Sequence, residues 1–203
     1  MEIIRDILKL EELKGYDEIE ALIETDLYLG QAEAEVERIL WTDGKIEILN
    51  TKIIQDKILV NGLVKFKLAY KSTEEKQNIH LLEINKDFKE EIEIEGINEE
   101  MSVEVKSKLE YIEGEIADER RLSLRALIKL MGKVEEINLI EVIKDIKDVP
   151  NLQILREKIQ YNNIRGKEES YGFIKEAFEI GEEEPNIEEI LKIQIQAYEN
   201  ENS

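Results

Sequence analysis

The sequence predicts a mainly β fold: an antiparallel β-sandwich-like domain with short helical turns, followed by a partial second repeat. Three observations carry this prediction. Residues 58–70 alternate between apolar and polar side chains, two further alternating runs lie between residues 103 and 130, and the opening of the chain recurs near its end. A chain of 203 residues can bury roughly 70% of its unfolded surface, so it needs no metal or disulfide to fold.

The first run predicts a strand with one buried face. Its even positions hold the apolar side chains, and lysines and Asn61 occupy several of the odd ones. The dipeptide Asn61-Gly62 is typical of a two-residue hairpin, but a turn there would place Ile58 opposite Lys65 and break the apolar face. We therefore expect one long strand with a glycine bulge or bend.

The other elements follow from shorter patterns. Val103, Val105, Leu109 and Tyr111 form the second alternating run, and the third runs from Leu122 to Leu130 beyond a charged turn, so the two are expected to be antiparallel neighbours. Shorter strands are predicted at 45–49, 79–84, 91–94 and 139–146. Short helical turns are predicted at 33–40 and at 184–191, where Pro185 supplies a start signal.

An internal repeat sets the predicted domain organisation. Residues 3–40 align without a gap on residues 154–191, matching Arg5 to Arg156 and Gly15 to Gly166. Residues 1–150 are expected to form a complete β domain. Residues 151–203 are expected to be the opening segment of a second repeat, packed on the first domain or swapped into a neighbouring copy as a homo-oligomer.

Charge and composition exclude several classes of partner. The net charge is -20, from 48 acidic and 28 basic residues, which opposes binding to the phosphates of nucleic acids or of anionic membranes. No stretch of 18 apolar residues occurs, so no membrane insertion is expected. The chain has no cysteine, which removes disulfides, thiolate metal sites and cysteine nucleophiles.

No catalytic motif is recognisable, so we expect a protein that is not an enzyme and binds no cofactor. His80 is the single histidine and lies in a strand-like pattern, which favours a half-buried or edge-strand position over a catalytic or metal-binding role. Two converging carboxylates would leave no local signature, so a hydrolase built on two acids about 5 to 10 Å apart in a cleft stays open.

Four residues are candidates for partner binding: Arg120, Arg121, Tyr161 and Tyr171. The paired arginines could clamp a partner carboxylate in a bidentate manner, or they could pair with Asp118, Glu119 or another local acid. The tyrosines, together with Tyr198, would serve the alternative function of an envelope carbohydrate-binding module, because such modules need aromatic side chains on one exposed face.

Two segments resemble the SPOCS domain of SipL-like spore-coat proteins of clostridia. They are DKILVNGLVKFKLAY at 56–70 and SVEVKSKLEYIEGEIADERRLSLRALIKL at 102–130, in which Lys57, Gly62 and Tyr70 match the first strand of the family. Arg120, Arg121, Arg125 and Ala126 match its later paired-arginine segment.

The resemblance implies a non-enzymatic, structural role in the spore coat, exerted through contacts with other spore-coat proteins. It implies synthesis in the mother-cell cytoplasm and later incorporation into the coat. SipL-like proteins also carry a LysM module associated with recruitment to the basement layer of the coat. This sequence has no such module, so the resemblance does not extend to direct docking there.

Overall fold

The computed structural model describes residues 1–31, 33–73, 79–150, 152–155, 157–158, 172–177, 179, 181, 190 and 193. The chain divides into two compact units, Met1–Asn163 and Ile164–Ser203. Six strands are found in the described residues: β1 (Glu2–Tyr28), β2 (Val36–Ile54), β3 (Lys57–Ser72), β4 (Ile79–Glu93), β5 (Ser102–Asp118) and β6 (Arg121–Lys147). The prediction of a mainly β protein is confirmed.

The strands form two antiparallel three-stranded sheets, as expected for a sandwich-like domain. One sheet has the order β1-β6-β5 and the other the order β2-β3-β4. The chain crosses between the sheets twice, after β1 and after β4. The central strands β3 and β6 supply most of the core between the sheets, with fully buried side chains at Ile58, Val60, Val64, Phe66, Leu68, Leu122, Leu124, Ala126, Ile128 and Leu130.

The strand predicted from residues 58–70 is confirmed as one continuous element, and the bulge beside it lies in the partner strand. β3 runs through Asn61 and Gly62 without a turn, while β2 shifts register between Ile48 and Asn50, which pair with Gly62 and Asn61. A Cβ at Gly62 would lie 2.5 Å from the Phe88 ring and 2.7 Å from a backbone carbonyl oxygen of β2. Glycine is required there because an aromatic ring packs directly against the backbone.

Two local predictions are wrong. Residues 33–40 do not form a helical turn, because residues 36–40 begin β2, with Val36 in the core and Ile39 packed against it. Tyr111 was expected on the buried face of its strand but is exposed. The register shifts between Leu109 and Tyr111, so the core-facing role passes to Ile112. The second predicted helical turn, at 184–191, lies outside the described residues except for Ile190.

The remaining strand predictions are segments of longer elements. Residues 45–49 lie in β2, 79–84 and 91–93 in β4, and 139–146 in β6. β5 and β6 are antiparallel neighbours, as predicted from their alternation. β1 and β6 have 27 residues each, well beyond the usual range of roughly 3–10 for strands.

Candidate interaction surface

Arg120 lies at the turn between β5 and β6 and is engaged with its own chain. Its Nη1 donates hydrogen bonds to the carbonyl oxygens of Gly30 at 2.7 Å and Glu33 at 3.3 Å, and its Nη2 lies 3.4 Å from the Glu35 carboxylate. These three residues belong to the connection between β1 and β2. The arginine therefore stabilises the connection between β1 and β2. Its binding to a partner carboxylate stays a prediction.

Arg121 and Arg125 are surrounded by acidic and phenolic groups of their own sheet. A hydrogen bond with Tyr28, reinforced by the charge of Asp118, raises the pKa of the Arg121 guanidinium. Arg121 Nε lies 3.6 Å from Asp118. Arg125 lies within 3.2–3.5 Å of three glutamates: Glu24, Glu113 and Glu115. Half-exposed pairs of this kind contribute about 0 to 1 kcal/mol each, so their main effect is to orient the guanidinium groups.

The other predicted site residues are placed as follows. His80 is half-buried on the edge strand β4, as expected; its ring stacks on Tyr70 with centroids 5.0 Å apart, and Nε2 lies 3.3 Å from Ser72 Oγ. Tyr161 and Tyr171, and with them Tyr198, lie outside the described residues. Within the described part of the chain, no group of three or more His, Cys, Asp or Glu side chains could hold a metal ion.

An open cleft lies between the end of β6 and the chain that follows it. It is lined by Ile143, Lys144, Asp145, Ile146, Ile154, Leu155 and Glu157. Asp145 accepts a hydrogen bond from the backbone N–H of Ile146 at 3.0 Å. Four apolar and three charged side chains line the cleft.

The most extensive unusual surface is a two-stranded ribbon, which we define as residues 2–13 of β1 and 135–147 of β6. Pairing of β5 with β6 begins at Ser102 opposite Glu135, and past that point β1 is the described strand that pairs with β6. The core cluster of the domain includes Val134 but no ribbon residue. The ribbon therefore extends the sheet past the part that the core stabilises.

The base of the ribbon is fixed by a bulge and its ion pairs. The register shifts between Leu13 and Gly15, and the intervening Lys14 reaches Glu136 at 2.8 Å and Glu12 at 3.0 Å. These hydrogen bonds raise the pKa of Lys14, and the bond from Lys14 lowers the pKa of Glu136. The bulge sets which ribbon side chains continue the solvent-facing surface of the sheet.

Large apolar side chains cover that outer face of the ribbon. Residues paired across the two strands point to the same face of the sheet, and successive residues of one strand point to opposite faces. The register therefore shows which side chains lie on the outer face. Its exposed apolar members are 37–69% exposed: Ile3, Ile7, Leu13, Ile137, Leu139 and Ile143. Each row except Ile3–Ile146 pairs one apolar with one charged side chain, and exposed apolar surface among polar residues marks interaction sites. The sequence did contain a signal for this surface, because residues 137–143 carry apolar side chains at both odd and even positions.

Comparison with protein families identifies the family of the central part of the chain. Residues 35–117 match the family model for the SipL SPOCS domain. The resemblance to the SPOCS domain suspected from the sequence is thereby confirmed for these residues. No curated protein and no solved structure matches the chain.

The matched range of the SPOCS domain covers β2, β3, β4 and nearly all of β5. Lys57, Gly62 and Tyr70 lie inside the match, whereas Arg120, Arg121, Arg125 and Ala126 follow it. The ribbon is built from β1 and β6 and so lies outside the matched range. Among the described residues of the protein, no helix has the length and apolarity needed to span a bilayer.

Proposed function

We propose that this protein is a non-enzymatic structural module of the spore coat and acts in coat assembly through protein–protein contacts. It would be made in the mother-cell cytoplasm and then join the coat with other spore-coat proteins as its partners. The family match supports the spore-related role. The outer face of the ribbon is the observation that carries the contact function.

The physical basis is the free energy of covering that face. Six large apolar side chains lie on the outer face of the ribbon, and none of them belongs to the hydrophobic core of the domain. Burying one such side chain fully is worth about 1.5–3 kcal/mol. Even partial burial of several of them against a partner would offset the entropy lost on association.

The partial second repeat supports the same function. Its described residues include strongly exposed apolar side chains, with Leu155 at 92%, Phe173 at 90% and Ile174 at 84%. We infer that residues 151–203 shelter these side chains, either on the first domain or in a neighbouring copy.

The test is localisation of a fluorescent fusion in a sporulating host. We expect the wild-type protein to concentrate on the forming spore and the Ile137→Asp/Ile143→Asp variant to disperse through the mother cell. Leu49→Asp is the matched control, since Leu49 is an equally exposed apolar residue on β2, outside the ribbon. All three proteins should show equal abundance and unchanged thermal unfolding. Normal localisation of the ribbon variant, or dispersal of the control as well, would contradict the proposed contact surface.

A further inference from the structure

We propose that the outer face of the ribbon binds a second copy of this chain, forming a two-fold symmetric, antiparallel, face-to-face dimer. In this dimer, β1 of one protomer lies over β1 of its partner, and Arg5 of each protomer faces Glu11 of the other. The inference rests on the proposed function, in which the ribbon is a contact surface, and it names the occupant of that surface.

The order of side chains along the outer face makes its β1 row self-complementary. On β1 the outer residues run Ile3, Arg5, Ile7, Lys9, Glu11 and Leu13, and their paired residues on β6 run Ile146, Ile143, Glu141, Leu139, Ile137 and Glu135. A two-fold axis between the rows of Ile7 and Lys9 reverses this order. On β1 it brings Ile3 opposite Leu13 and stacks Ile7 on the aliphatic stem of Lys9. On β6 it brings Ile143 opposite Ile137, and it also places Glu141 over Leu139 and Glu135 over Ile146.

Other arrangements of the same two faces are less favourable. Moving the axis by half a row toward Ile3 places Arg5 opposite Lys9, and moving it the other way places Lys9 opposite Lys9. Placing β1 over the partner's β6 puts all five charged side chains of the face over apolar ones, whereas the proposed register does so only for Lys9, Glu135 and Glu141. Like charges that face each other in an interface are unfavourable, so the proposed register is preferred to these two shifted ones.

The outer face of the ribbon carries little net charge, so two copies of this acidic chain can approach each other there. The whole chain has a net charge of -20, whereas the outer face carries two basic and three acidic side chains. Two ion pairs within the chain already join four of these charges: Arg5 Nη1 lies 3.0 Å from Glu141 and Lys9 Nζ 3.0 Å from Glu11. The face is thus a nearly neutral region on an acidic protein, which is where self-association meets the least repulsion.

The size of the face indicates a weak dimer. About twelve residues at roughly 3.3 Å each give a ribbon about 40 Å long, and two strands give a width of about 10 Å, so the footprint is about 400 Å² per partner. A standard stable interface buries about 800 Å² per partner. We expect a dissociation constant on the order of 10–100 µM, suited to assembly at high local concentration.

The test uses reversed charges and sedimentation velocity on the full chain. Arg5→Glu alone places a new carboxylate opposite the Glu11 carboxylate of the partner, and Glu11→Arg alone places a new guanidinium opposite the Arg5 guanidinium. We expect each variant to dimerise roughly ten- to thirtyfold more weakly than wild type, because two symmetric ion pairs become two repulsive contacts. An equimolar mixture of the two variants should recover the dimer, since every carboxylate at these two positions of one protomer then faces a guanidinium of the other.

Controls separate this inference from the proposed function. Ile143→Asp should weaken dimerisation at least about tenfold, Leu49→Asp should leave it unchanged, and circular dichroism should show all variants folded. A wild-type protein that stays monomeric at about 500 µM, well above the expected dissociation constant, or a mixture that stays as monomeric as its two components, overturns the dimer. If the dimer fails while the ribbon variant still disperses in sporulating cells, the proposed function stands and the occupant of the face is a different protein.

Discussion

Removal of the Arg120 side chain tests whether this arginine has a structural role in the fold. Its guanidinium donates to the carbonyl oxygens of Gly30 and Glu33 and approaches Glu35, all in the connection between β1 and β2. The same connection is also held by backbone bonds: Leu29 donates to the Arg120 carbonyl at 2.8 Å, and Val36 to that of Glu119 at 3.0 Å. Arg120→Ala removes the side-chain contacts and leaves the backbone bonds in place.

The expected loss of stability follows from these contacts. A hydrogen bond from a charged donor contributes about 1.5–3 kcal/mol when it is well sheltered. The Arg120 side chain is 39% exposed, so water can replace part of each bond after truncation, and the Glu35 pair is a weak surface pair. We expect Arg120→Ala to lower the free energy of unfolding by about 1–2 kcal/mol. Arg120→Lys should recover less than half, because one ammonium cannot reproduce the forked guanidinium geometry.

Urea denaturation with amide hydrogen exchange makes the measurement specific. The Glu33 amide donates to the Gly30 carbonyl and the Val36 amide to that of Glu119, and both should exchange faster in Arg120→Ala than the free-energy loss alone predicts. Arg121→Ala is the matched control and should leave these amides unchanged, since its partners are Asp118 and Tyr28. Wild-type stability and exchange in Arg120→Ala would refute the structural role. Loss of association without loss of stability would instead favour the clamp on a partner.

Two further predictions concern the β2-β3-β4 sheet. Gly62→Ala should lower the free energy of unfolding by about 1–3 kcal/mol, because the added Cβ meets Phe88 and the immovable Glu47 carbonyl oxygen; a denaturation midpoint equal to that of wild type would contradict this packing. Lys65 lies 2.6 Å from Glu47 and lowers the pKa of that carboxyl below 4.5. The contribution of Glu47 to stability is therefore complete above about pH 4.5 and lost as pH falls through the lower folded value. The stability difference between wild type and Glu47→Gln should be present at about pH 7 and shrink as the pH falls below about 4.5, and a difference that urea denaturation finds unchanged in acid would contradict this.

The central strands could be predicted because burial imposes a period of two on them. Residues 58–70 and 122–130 follow that period without interruption, and the structure buries the predicted side chains. The β5 strand departs from it because one extra residue, Glu110, enters at the bulge and turns Tyr111 outward. A bulge requires no distinctive residue type, so the sequence does not reveal it. The alternation therefore predicts the wrong buried face for the residues that follow the bulge. Residues 33–40 were misassigned for a related reason: a short stretch with Val36 and Ile39 three apart fits a helical face, and only pairing with β3 decides for a strand.

The ribbon contains a segment whose sequence does not alternate between apolar and polar residues, and the sheet explains why. Residues 137–143 include apolar side chains at both odd and even positions, a pattern that fits a helix as well as a strand buried on both faces. In the structure this segment is the continuation of β6 past the end of β5, where the domain core contributes no contact. A sequence that keeps apolar side chains where its own fold does not bury them has another reason to keep them. Because polar residues at these exposed positions would cost little stability, the exposed apolar side chains of the ribbon are our reason for proposing that it contacts another protein surface.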